Sequence, residues 1–142
     1  MRPAEVWHLR ARTLEALGFL YLARLAIAWL PFGLWRGWLG LDGTALPEAA
    51  SEARRLALHV ERAAARLPFA TLCLPRAMAL SWVLLRRGIA HQLVIAARPA
   101  SQRGGADDLH AWIEASGQIV LGDLPGPWLE TARFPPREKP NC

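Results

Sequence analysis

A chain of 142 residues has room for one domain with a real core, and not for two independent ones. Its 53% hydrophobic and 20% charged residues exclude a disordered chain. The 17 basic and 12 acidic side chains leave a net charge of +5, but the arginines (Arg10, Arg12, Arg24, Arg54, Arg55, Arg86, Arg87) are scattered rather than interleaved with aromatics. That distribution argues against a nucleic-acid groove and suits an acidic peptide equally well.

The N-terminal residues MRPAEVWHLR lack the pattern of a signal peptide, which predicts a cytoplasmic protein with reduced thiols. A helix is predicted over about 4–30, with Gly18 as its weak point and Leu30-Pro31 as its stop. Within it, residues 14–30 (LEALGFLYLARLAIAWL) are at the low length limit for a membrane span and contain Glu15 and Arg24. A central Arg costs about 2.5–3.5 kcal/mol on insertion, so a buried helix is the better reading. Arg24, Trp29, Trp35, Arg36 and Trp38 still leave a weak interfacial contact with a membrane open. The Gly- and Pro-rich residues LPFGLWRGWLGLDGTALP form a connector, and a second helix is predicted over 48–66 with Leu56, Val60 and Ala63/Ala64 on its apolar stripe.

In CLPRAMALSWVLLRRGI, Pro75 suits a first helical turn, Gly88 suits the position past the end, and Arg86 and Arg87 complement the negative terminus. HQLVIAA then reads as a central strand, PASQRGGADD as a loop and LHAWIEASGQIVLGD as a hairpin turning at Ser116-Gly117. Pairing Ala115 with Gln118 carries the register to His110 opposite Asp123, with Cβ atoms roughly 4.5–5.5 Å apart. The order of elements predicts an α+β fold: N-terminal helices, then a helix packed on a small antiparallel sheet. The expected divisions are a helical region and connector over 1–47, a core over 48–130 and a flexible Pro-rich tail over 131–142 that includes Cys142.

A His oriented by an Asp is half of a nucleophilic triad, and Cys73 supplies a candidate for the other half. It stands two residues before Pro75, where unsatisfied N–H groups and the positive helix end favour thiolate over thiol. A small buried cysteine, a structural histidine and a turn aspartate are the plainer alternatives. Trp112 and Glu114 alternate onto the His110 face, Trp112 as shelter for the site or as core, Glu114 as a contact for substrate or arginine or as a solvated strand end. His8, His59 and His91 have no metal-ligand spacing, and no GxxxxGK[ST] loop occurs, so no metal and no cofactor are expected.

LPFATLCLPRAMALSWVLLRRGI, LVIAA and HAWIEASGQIVLGD together resemble the leader peptidases of lasso peptide biosynthesis, relatives of transglutaminase-like and papain-like cysteine enzymes. The resemblance covers about residues 56–123. It implies a transglutaminase-like or papain-like core, Cys73 as nucleophile, His110 as base and Asp123 as orienter. The longer RPASQRGGADDL connection and the Ala96-Ala97 strand end, where a Gly is common, depart from the pattern. Residues 1–50 show no strand pattern for a fused leader-recognition domain. The resemblance therefore implies the split arrangement, in which a separate recognition protein delivers the precursor (leader) peptide and an ATP-dependent lasso cyclase closes the ring. The connector around Trp35 and Trp38 is read as part of a partner surface, or else as core. Two other classes fit the same residues: another thiol acyl-transfer enzyme, such as a transglutaminase or amidase, and a non-catalytic peptide-binding subunit at a membrane.

Overall fold

Residues 3–43, 46–68, 72–102, 104 and 108–135 are described by the computed structural model. Helix α1 (Pro3–Trp29) runs unbroken through Gly18 and stops before Pro31. A single helical turn, α2 (Phe32–Trp35), continues into a 3-10 turn over Arg36–Trp38. Helix α3 (Pro47–Ala65) opens on a proline at its first position, where no hydrogen bond is lost. Helix α4 (Cys73–Arg86) follows, and strands β1 (Gln92–Ala97), β2 (Leu109–Ala115), β3 (Gln118–Leu121) and β4 (Leu129–Phe134) complete the fold. The four strands form one antiparallel sheet in the order β3-β2-β1-β4. The fold is α+β, as the sequence pattern predicts.

α4 is the central element because its inward residues are both apolar and small enough for close packing. Ala77, Met78, Ala79, Leu80, Val83 and Leu84 are almost fully buried. They meet Ala16, Leu20 and Ala23 from α1, Leu56, Val60 and Ala63 from α3, and Leu93, Ala111 and Ile113 from the sheet in a single core. Alanines at these helix contacts let the axes approach closely. Glu15 on α1 receives Arg86 and Arg87 at 3.0 Å each, which fixes the end of α4 against α1.

Two buried histidines stitch the elements together. His91 Nδ1 donates to the Ile89 carbonyl at 2.8 Å, so its Nε2 accepts from Ser81 Oγ at 2.7 Å. The Gly40 N–H in turn donates to Ser81 Oγ, joining the connector, α4 and the start of β1. His59 Nδ1 lies 3.1 Å from Thr13 Oγ1, which bonds the Leu9 carbonyl. Burial lowers the pKa of both histidines, and for His59 the Arg62, Arg12 and Arg87 charges lower it further.

One expectation changes, and of two readings of the connector tryptophans each ring takes a different one. Thr131 to Phe134 lie in strand β4, paired with β1, and are not the start of a flexible tail. Arg133 holds this edge: only 8% exposed, it meets Glu130 at 2.6 Å and Glu114 at 2.8 Å and bonds Gln92. Trp35 is buried, its ring packed edge-on against Phe32 and its Nε1 donating to the Leu30 carbonyl, so of the connector pair only Trp38 is exposed. Residues 136–142, with Cys142, lie outside the described residues. No described helix is long and apolar enough to cross a membrane.

Candidate active site

The N-terminal end of α4 and the far end of the hairpin face each other across a cleft of about 870 Å³. That volume falls in the range of small-molecule and peptide subsites. Cys73, Leu74, Pro75 and Arg76 form one wall. His110, Gly122, Asp123 and Trp128 form another. The three residues that the sequence singles out, Cys73, His110 and Asp123, therefore line one cleft.

Cys73 is the first residue of α4, half-buried and outside any disulfide. Leu72 before it is extended, at φ −76° and ψ 173°, so the helix begins abruptly at the sulfur-bearing residue. The Cys73 and Leu74 N–H groups belong to the first turn and have no intrahelical acceptor, while Pro75 contributes none. Both residues line the cleft.

His110 is 6% exposed and held on several sides. Its Nε2 donates to the Gly122 carbonyl at 2.5 Å, and a carbonyl can only accept. The neutral ring is therefore protonated at Nε2, and its Nδ1 carries the accepting lone pair. Its ring centroid is 5.2 Å from that of Trp128 and 5.9 Å from that of Trp112, at tilts of 32° and 36°. Trp112 Nε1 donates to Glu114, which pairs with Arg133, so the wall behind the imidazole is tied to β4.

The hairpin does not keep the register expected of it. Ser116 and Gly117 have φ of 53° and 72°, the left-handed pair that a two-residue turn requires, and Ala115 pairs with Gln118 and Glu114 with Ile119. A bulge then intervenes, and Ile113 pairs with Leu121, leaving Val120 as the extra residue. Continued to the end of β2, that shifted register sets residue 124, not 123, across from His110. Gly122 absorbs the change at φ 84°, where a Cβ would lie 2.9 Å from the Ala111 carbonyl oxygen and 3.2 Å from Trp112 Cβ. Only glycine fits there, and its carbonyl takes the imidazole. Asp123 lies one residue further, exposed on the cleft wall. The hydrogen bond expected from a carboxylate is thus made by the neighbouring backbone.

Trp128 is the functional candidate that sequence reasoning missed. It lies in the LPGPW stretch after the hairpin, and a large ring in a Gly- and Pro-rich loop next to a candidate acid was the available signal. Its ring covers His110 and receives the Arg98 guanidinium at 4.5 Å from its centroid. Arg76 and Glu61 pair at 3.0 Å on the opposite wall. Leu72, Leu109 and Leu124 are exposed around the opening, so the walls are mainly apolar with a few polar groups at the centre. No cluster of potential metal ligands occurs among the described residues.

No curated protein and no solved structure matches the chain significantly. A family model, the transglutaminase-like superfamily, matches residues 19–136. That span takes in α1 from its middle, the cleft-bearing start of α4, the whole sheet and both walls of the cleft. The chain belongs to the transglutaminase-like superfamily.

Proposed function

We propose that this protein is a cysteine endopeptidase that removes the leader from a ribosomally made lasso precursor, with Cys73 as nucleophile and His110 as base. The observation that carries the reading is the cleft shared by the first residue of α4 and an imidazole whose Nε2 is already committed to the Gly122 carbonyl. Superfamily membership supports thiol-based acyl chemistry on this scaffold. The lasso substrate rests on the similarity of the CLPRA, LLRRGI and HAWIE stretches to leader peptidases.

In this mechanism Cys73 sulfur, its proton taken by His110 Nδ1, attacks the carbonyl carbon joining leader to core. The C–N bond breaks as the imidazolium returns that proton to the leaving amine, and a thioester remains on Cys73. Water then attacks the thioester, giving its proton to His110, and the leader carboxylate departs with the thiol restored. The Cys73 N–H at the helix start stabilises the oxyanion in both halves. Asp123, beside Gly122 on the cleft wall, supplies negative charge near the imidazolium. A separate recognition protein brings the leader, and an ATP-dependent cyclase uses the new amine.

The test is reconstitution with precursor and recognition protein, read by peptide mass. Cys73→Ala abolishes leader removal while circular dichroism stays unchanged. Cleavage retained in that variant would end the proposal. Incorporation of an added primary amine into the product, instead of free leader carboxylate, would reassign the site to transglutaminase-type transfer.

A further inference from the structure

Helix α1 has two apolar faces. One, through Ala16, Leu20 and Ala23, is buried against the body. The other is solvent-facing: Trp7 is 67% exposed, Leu14 65%, Leu22 54%, Leu25 54% and Trp29 81%. A contiguous apolar face of this extent left in solvent marks a docking surface.

The sequence of that face identifies the partner. Its centre is Gly18, where an added Cβ would meet nothing within 4 Å. Counting outward, Leu14 and Leu22 lie at equal distances from Gly18, then exposed Ala11 and Leu25, then Trp7 and Trp29. This arrangement suits a two-fold axis, because in an isologous interface two positions equidistant from the axis meet each other's copies. An antiparallel pair of α1 helices crossing at Gly18 sets Leu14 on Leu22 and Trp7 on Trp29, with the glycines allowing close approach of the backbones. Trp7 of the second copy then stands at the mouth of an apolar groove of about 620 Å³ lined by Leu25, Trp29, Trp38 and Trp82. The exposed area of these side chains is on the order of 600 Å² per copy, so about 1,200 Å² for the pair, the lower bound of stable interfaces. We infer that the protein is a two-fold homodimer through the outer face of α1, crossing at Gly18.

The experiment uses the full chain with Cys73→Ala and Cys142→Ser, so that added thiols report alone. Gly18→Cys should oxidise to a covalent dimer, as should the double variant Leu14→Cys/Leu22→Cys, whereas Leu14→Cys alone should not. Unmodified protein should sediment as a dimer across the micromolar range, and Gly18→Leu as a folded monomer. A monomer throughout that range overturns the inference, as does cross-linking of Leu14→Cys alone, which requires parallel helices. A monomer that binds anionic vesicles through Trp29 assigns the face to lipid and overturns it equally.

Discussion

At the scale of single residues, the site turns on which group holds His110. The Gly122 carbonyl takes Nε2 directly, and Asp123 follows it in the chain. Under the proposed mechanism, loss of His110 should therefore cost more than loss of the Asp123 carboxylate. His110→Ala is expected to lower kcat by about 10²–10⁴-fold and Asp123→Asn by about tenfold, measured on leader cleavage. Equal losses would show that the carboxylate does more than supply nearby charge. Gly122→Ala should lower kcat much as His110→Ala does, because its Cβ collides with the Ala111 carbonyl and moves the acceptor that holds the imidazole. His91 lies outside the site and reports on stability instead. Its pKa in the fold is lowered from 6.5 by burial, so the unfolded chain binds the proton first. Stability is complete above about pH 6.5 and falls on acidification, by up to about 1.4 kcal/mol per pH unit for this group. His91→Gln should be less stable at pH 8 and show a shallower loss between pH 6.5 and 5 in urea titrations.

At the scale of elements, the helices were legible because their signals are local. Leu30-Pro31, Pro47, Pro75 and Gly88 mark ends by backbone chemistry alone, and the elements stop within a residue or two of those marks. The hairpin was legible at its turn and not at its far end. Ser116-Gly117 fixes the first pairs, but nothing in QIVLGD signals that Val120 bulges out. β4 was missed because LETARF lies among prolines and its pairing partner, β1, is far away in the chain. What secures it is also non-local: Arg133 reaching Glu114 on β2. Arg133→Met should cost about 2–3 kcal/mol by removing charge-assisted bonds and leaving the Glu114 carboxylate without that partner. Thermal unfolding and hydrogen exchange on β4 measure it, and an unchanged melting curve would mean that β4 is held by its backbone alone.

At the scale of the whole molecule, one core joins α1, α3 and α4 to the sheet and leaves the cleft where α4 begins and the hairpin ends. That placement follows from topology: α4 packs on β2, so the helix start bearing Cys73 and the strand start bearing His110 fall on the same side. That Cys73 and His110 would face one cleft was legible from residue type and position in their elements. The Trp128 cover and the Gly122 acceptor were not, because both depend on how the chain bends after the bulge. The central claim is that Cys73 reacts through His110. Its most direct measurement is the iodoacetamide labelling rate of Cys73 at neutral pH by peptide mass spectrometry, with Cys142 as internal control, in the native sequence and in His110→Ala. Cys73 is expected to label faster than Cys142, and His110→Ala to remove most of that advantage. Equal rates for the two thiols, unaffected by His110→Ala, would contradict it.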